Sequence, residues 1–443
     1  MVSAAEQLAA NINLSALGKA KDLHKRLLFT VIALIVYRLG TFIPLPGIDP
    51  AGLKQILDQT QGGLLGMFNA FGGGAIERMA IFALNIMPYI SASIILQVLT
   101  IASPQLEALK KEGEAGRKKI NQYTRYGTVA LAAIQAYAIA VSLEANPQVV
   151  HAPGWFFRIS TVITLTGGTM FLMWLGEQIT ARGVGQGVSL IIMAGIVASL
   201  PKHLATLFEM GRKGNIPGWI VVLVLVGSVA LVAGIVYMER AQRRLIIQYP
   251  KRQVGNRMFQ GEKSHLPLKI NSAGVIPPIF ASSLLLLPTT AAQFSGQGGP
   301  QWLRDVTALL GPQQPLHYLL YAAGIIFFAF FYTSIVFNPE DTADNLKKYG
   351  GFIPGIRPGK RTAEYIDYVL TRLTVLGALY LTLVCTVPQY LMQQMALPFV
   401  LGGTSILIVV SVTMDTVAQI HSHLLAHQYE GLIKKARLRG ARR

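Results

Sequence analysis

The sequence predicts an all-α polytopic membrane protein, and three observations carry that prediction. Of its 443 residues, 52% are hydrophobic and only 14% are charged, against about 25% charged in a soluble globular chain. The apolar residues gather into ten stretches, each long enough to cross roughly 30 Å of hydrocarbon as a helix of ~20 residues. The basic residues concentrate in alternate connections between those stretches. An ordinary soluble enzyme is excluded, because this composition cannot wet its surface. A disordered chain is excluded too, because disorder needs low hydrophobicity.

In order, the spans are Leu23–Ile43, Met79–Thr100, Tyr126–Leu143, Phe156–Gln178, Val188–Phe208, Trp219–Tyr237, Asn271–Leu287, Leu316–Phe337, Val369–Tyr390 and Pro398–Leu424. Pro88 interrupts the second, and Pro201 with Lys202 the fifth. A proline inside a span is tolerated where neighbours re-satisfy the freed carbonyl. With the N-terminus inside, the first segment, the even-to-odd connections and the tail hold 31 of the 39 Lys and Arg. The positive-inside rule then places both termini in the cytoplasm. That placement explains the net charge of +18 without nucleic acid, and no direct DNA binding is expected.

The expected organisation is a cytoplasmic N-terminal segment (1–22), a half with spans 1–5 (23–210), a half with spans 6–10 (211–424) and a basic cytoplasmic tail (425–443). The N-terminus lacks a signal-peptide layout. Cys385 is the single cysteine, so no intrachain disulfide or Cys-based metal site is available.

Three connections exceed what a simple connector needs. Loop 6/7 (239–270) has β-prone flanks, Arg244–Tyr249 and His265–Ile270, around a basic tip at Pro250–Lys263, and so predicts a hairpin. Loop 8/9 (338–367) holds Gly355-Ile356-Arg357-Pro358-Gly359, a rigid turn that presents one arginine. Both fit plain positive-inside loops as well as docking sites, and length with structure favours docking. On the opposite side, residues 62–78 are too short to span, yet apolar and bracketed by glycines. Pattern alone leaves a short interfacial helix and a mobile helix that folds back into the protein equally open.

Met87-Pro88-Tyr89-Ile90-Ser91-Ala92-Ser93 in span 2 and Ile276-Pro277-Pro278-Ile279-Phe280-Ala281-Ser282 in span 7 share Pro-x-Ile-x-Ala-Ser. The two spans lie five apart and cross in opposite directions, as an inverted repeat of two halves would leave them. Such halves enclose a pathway between them.

The chain has no P-loop motif, and therefore no motor of that type. Gly183-Val184-Gly185-Gln186-Gly187 joins two spans and reads as a tight turn rather than a dinucleotide site. His421, His423 and His427 lack a neighbouring carboxylate, so a metal is not expected. No nucleophile–base pair stands out, no cofactor is expected, and the chain reads as a passive channel rather than an enzyme. Intramembrane carboxylates, which ion-coupled transporters need, come down to Asp415 well inside a span and Glu177 at a helix end. A small-solute transporter coupled through Asp415, and a ribosome-binding scaffold without conduction, are the competing classes.

Asn85–Ile95, Phe171–Thr180 followed by Arg182-Gly183, Phe337-Asn338-Pro339, Thr342–Lys348, Gly355–Gly359 and Gly402–Ser405 together resemble the signatures of the bacterial SecY family, in its gammaproteobacterial type. The resemblance covers nearly the whole chain. It implies a protein-conducting channel of the bacterial inner (plasma) membrane, with ten helices in two inverted pseudo-symmetric halves of five. Such a channel conducts unfolded secretory polypeptides and releases apolar segments sideways into lipid. The partners it implies are the SecE and SecG subunits, the SecA ATPase, the ribosome, nascent or unfolded secretory polypeptides, and membrane lipids.

The family's residues fall here as follows. The pore ring maps to Ile86, Ile90, Val188, Ile192, Ile279 and Ile408, where plain helix packing is the alternative. Branched apolar groups at a narrow waist gate by dewetting. The plug maps to 62–78, with Leu64, Leu65, Met67, Phe68, Asn69 and Phe71, which tips that segment toward the mobile reading. The lateral gate, between spans 2/3 and 7/8, includes Ser91, Gln97, Asn271, Ser282 and Ser283. Motor and ribosome docking maps to Arg243, Arg244, Lys251, Arg252, Arg257, Lys347, Lys348 and Arg357. Val188 replaces the family's usual isoleucine, and Asn256 stands where relatives often carry a basic residue.

Overall fold

The structure, a computed structural model, describes residues 21–49, 72–144, 149–150, 152–214, 216–250, 252–254, 257–259, 263–295, 301, 309, 314–395 and 402–440. The first group of helices is α1 (Lys21–Gly40), α2 (Met87–Ala102), α3 (Pro104–Lys111), α4 (Glu114–Glu144), α5 (Trp155–Arg182), α6 (Gly187–Arg212) and α7 (Gly218–Arg240). Four strands follow: β1 (Gln242–Gln248), β2 (Arg252–Val254), β3 (Arg257–Phe259) and β4 (Lys263–Lys269). The remaining helices are α8 (Ile276–Ser295), α9 (Pro315–Val336), α10 (Pro339–Lys348), α11 (Lys360–Gln394) and α12 (Gly403–Gly440).

Each of the ten expected spans overlaps one helix from this set, several with different bounds. Among the described residues, seven helices (α4, α5, α6, α7, α9, α11 and α12) are long and apolar enough to cross a membrane, or eight if the bent pair α2–α3 is one span. Lys25, Arg26 and Arg38 interrupt α1, and the described apolar stretch of α8, Ile276–Leu285, is short.

The chain divides into two compact units. One comprises 1–206, 290–300 and 408–443, the other 207–289 and 301–407. In the first, residues 73–86, whose last eight were expected to be helix, are turns instead, with Met79 and Asn85 at positive φ. Apolar composition does not separate a buried turn from a helix. Here the backbone is satisfied by the segment after α1: Leu45 N–H donates to the Met79 carbonyl at 2.9 Å, and Ile81 N–H to that of Ile43 at 3.0 Å. A core of Leu45, Ile48, Met79, Ala83, Ala136, Ala140, Leu143, Val149, Val150, Phe157 and Leu165 packs beneath. Gly168 passes so close under the Ile81 carbonyl that a Cβ would overlap it.

Pro88 sits in the first turn of α2, where its missing N–H costs nothing. Ser103, next to Pro104, is extended at φ −110° and ψ 117°, as a residue before proline prefers. The chain therefore turns by 99° into α3. Between α5 and α6 the glycine-rich segment is the expected tight turn, and its amides are spent: Val184 N–H donates to Thr30 Oγ1 at 3.1 Å and Gly185 N–H to Gln419 Oε1 at 2.9 Å.

In the second unit, β1 and β4 form an antiparallel ladder from Gln242↔Lys269 to Gln248↔Lys263, and β2 pairs with β3 beyond it. The predicted hairpin is present. α10, which lies inside loop 8/9, is a helix the sequence reading missed. It is capped by Asn338, whose Oδ1 accepts from Glu340 N–H at 3.0 Å. Val384 of α11 leaves no room for a Cβ on Gly403, so only glycine opens α12 there.

Candidate functional site

The two large loops are one body. Gln248 N–H donates to the Phe352 carbonyl at 2.9 Å, and Phe352 N–H returns the bond at 3.0 Å. Beneath this bridge, Leu245, Ile247 and Leu268 of the hairpin share a core with Leu346 of α10, Ile353, and Ile366, Val369 and Leu373 of α11. Alternation places Leu245 and Ile247 inward and Arg244 and Ile246 outward, while Arg243, near the start of β1, is exposed as well. Lys347, Lys348 and Arg357 are exposed on the same unit. Gly355 and Gly359, at φ 83° and 104°, hold the Arg357 turn in a conformation that favours glycine. Arg252 and Arg257 lie on β2 and β3; Lys251 falls outside the described residues, as does Asn256.

Among the ring positions, Ile86, Ile90, Ile192 and Ile408 are buried in the first unit, at 0 to 7% exposure. Val188 is half-buried there, against Gly176 of α5. Ile279 belongs to the second unit and is half-buried. None of the six points outward as an exposed side chain. Ile86 does not lie inside the helix with Ile90, although span 2 was expected to hold both. It is the N-cap of α2, and its carbonyl accepts the Ile90 N–H at 3.2 Å. Val188 and Ile192 do lie one turn apart on α6.

Leu64, Leu65, Met67, Phe68, Asn69 and Phe71 fall outside the described residues, but the C-terminal root of that segment is described. Arg38 donates to the Gly73 carbonyl at 2.7 Å and Arg78 to the Thr41 carbonyl at 3.3 Å. Both guanidiniums stack on Phe42, at 4.7 and 4.1 Å from its centroid. Lys202 of α6 pairs with Glu77.

The lateral-gate candidates are mostly occupied locally. Gln97 Nε2 donates to Ser93 Oγ at 3.3 Å, and Ser282 and Ser283 both donate to the Ile279 carbonyl, at 2.9 and 2.8 Å. Ser91 is half-buried. Asn271 is buried and donates to Glu239 Oε1 at 2.6 Å. Glu239, which the sequence reading left in a loop, is a buried carboxylate at the end of α7. Along the spanning helices Thr100, Thr128, Ser228, Thr333, Thr374 and Thr382 each donate to the carbonyl four residues back, at 2.7–2.8 Å. The hydroxyls of Tyr321 and Thr404 meet across helices at 3.1 Å.

Arg125 grips Glu177 with two bonds, at 3.2 and 2.7 Å, tying α4 to α5. Asp415 is exposed on α12. Among the described residues, no group of three His, Cys, Asp or Glu side chains is placed to hold a metal.

These features define a polytopic helical membrane protein with a structured basic platform on one unit. The sequence model of the SecY family matches residues 80–417, and the chain belongs to that family. The protein translocase subunit SecY of Rickettsia conorii is 54% identical over 423 residues, covering 94% of this chain and 97% of that one. Its counterpart from Pseudomonas aeruginosa is 55% identical over 430 residues, covering 96% and 97%. Among solved structures, a protein-conducting channel superposes with a TM-score of 0.64 at 17% identity, covering 90% of this chain and 92% of that one. Sec61 in the canine ribosome–channel complex superposes at 0.61 and 16%, with the same coverage. At such identities these two matches speak for the fold.

Proposed function

We propose that the chain is the pore-forming subunit of a protein translocase, conducting unfolded secretory polypeptides across the bacterial plasma membrane and releasing apolar segments sideways into lipid. The observation that carries this reading is identity above 50% to protein translocase subunits along nearly the whole chain. The chain works as a passive conduit without a catalytic site or cofactor. Both termini and the β1–β4 platform lie in the cytoplasm, following the charge distribution. The two halves are inverted counterparts, with the pathway between them.

Ile86, Ile90, Val188, Ile192, Ile279 and Ile408 form the constriction. Dispersion contact is not directional, so such a ring closes around many different side chains, and when empty it excludes water. Residues 62–78 form the plug, and the root contacts of Arg38, Arg78 and Lys202 support a fixed end for it. Ser91, Gln97, Asn271, Ser282 and Ser283 belong to the seam that opens to lipid. Arg243, Arg244, Lys251, Arg252, Arg257, Lys347, Lys348 and Arg357 dock the SecA ATPase or a ribosome, and the exposure of those that are described supports this. A channel seen bound to a ribosome is among the structural neighbours. SecE and SecG complete the assembly.

The test is to place a photo-crosslinking residue at Ile90 or Ile279 and trap a stalled secretory chain. Crosslinks to the passenger are expected at both positions. Their absence, with binding of the ribosome retained, favours the non-conducting scaffold.

A further inference from the structure

The hairpin leaves its unit between Arg240 and Ile270, and its two legs are crossed by hydrogen bonds at the root. Ile270 N–H donates to the Ala241 carbonyl at 3.2 Å. One residue further out, Asn271 Nδ2 donates to Glu239 Oε1 at 2.6 Å. The same amide nitrogen donates to the Gly274 carbonyl at 3.2 Å. Gly274, at φ 64°, turns the chain into α8, whose first turn carries Ile279. From the other side α11 presses on this root, where a Cβ on Gly377 would stand 2.7 Å from the Ile270 carbonyl. Glu239 and Asn271 are both buried.

One rigid amide group therefore holds the carboxylate at the end of α7 with one hydrogen and the turn that starts α8 with the other. A charge-assisted bond of this kind is short and directional. A buried ionic group is also weak evidence for stability, and its best-attested use is to fix a register or a switch. Removing the amide leaves the ladder of the hairpin untouched. It frees α8 from the hairpin root.

We propose that Asn271 is a positioning residue for translocation, a pin through which movement of the docked hairpin reaches α8. This rests on the reading of the hairpin as the motor's docking site. The pin acts after docking, so its loss lowers the rate of passage and leaves the motor's affinity unchanged.

The test uses the full chain in inverted membrane vesicles, with the SecA ATPase and a labelled secretory precursor, titrating the motor. Asn271→Asp sets a second carboxylate against Glu239 and is expected to cut the maximal translocation rate about tenfold, on the scale of one hydrogen bond to a charged group. The half-saturating motor concentration is expected to stay within twofold. Adding Glu239→Gln to Asn271→Asp remakes the bond to the end of α7 with its polarity reversed but leaves the Gly274 carbonyl without its donor, and is expected to recover only part of the rate. If Asn271→Asp does not accumulate, Asn271→Ser removes the amide without adding charge and is held to the same criteria.

An unchanged maximal rate, a loss expressed in affinity instead, or full recovery in the double variant, which lacks the donor to Gly274, overturns the pin. The docking reading is judged separately by Arg252→Ala with Arg257→Ala, which is expected to raise the half-saturating concentration. No change there sinks the docking reading, whatever Asn271 does.

Discussion

Gln248 and Phe352 exchange both backbone hydrogen bonds across 104 residues of sequence, and so the hairpin and the Arg357 turn move as one piece. Ile366 is fully buried in the core that both share. Ile366→Ala is expected to cost roughly 2–5 kcal/mol and to loosen both loops together. Limited proteolysis should show faster cleavage in the hairpin and near Arg357 in the same variant. Loosening of one loop alone would break the single-platform account.

Arg357 is exposed and held by glycines at both ends of its turn. Removing its charge should leave the fold intact and lower motor-driven translocation at limiting motor. Arg357→Ala is expected to keep the wild-type melting temperature while losing most activity, measured with a secretory precursor in vesicles. Full activity would remove it from the docking surface.

Replacing Ile86, Ile90 and Ile279 together with glycine widens the proposed constriction and removes the groups that expel water. The expected outcome is a several-fold rise in small-ion conductance of the resting channel in planar bilayers. Unchanged tightness would mean that these side chains are ordinary packing.

Gly403 has no space for a methyl group beside the Val384 carbonyl. Gly403→Ala should overpack the start of α12 at a cost of about 1–3 kcal/mol, read as a lower melting temperature and less protein in the membrane. A neutral result would show that α12 can shift freely there.

Asp415 is exposed on α12. Asp415→Asn should leave polypeptide translocation at wild-type rates, whereas a proton-coupled transporter would stop.

The helices were legible because a run of apolar residues is a local signal, and so was the hairpin, from β-prone flanks around a basic tip. The turns over residues 73–86 were not, because Ile81, Phe82, Leu84 and Ile86 look the same in a buried turn as in a helix. α10 was hidden by its polarity: Pro339–Lys348 reads as loop until Leu346 is seen to pack on α11. The ring positions came from the family resemblance, and their burial would have been equally consistent with ordinary packing. The Glu239–Asn271 bond joins residues 32 apart, and no periodicity reports such a meeting. A lone carboxylate closing a strongly apolar helix was the one available hint.

Thr100, Thr128, Ser228, Thr333, Thr374 and Thr382 turn their hydroxyls back onto their own helices. The polar ties that do cross between helices, Arg125 to Glu177 and Tyr321 to Thr404, lie at other positions. Parting neighbouring rods exposes no orphaned polar atom at these hydroxyls and offers a passenger no fixed chemical lock to match there. Indifference to cargo sequence would then follow from how the threonines are spent, before any gate is considered.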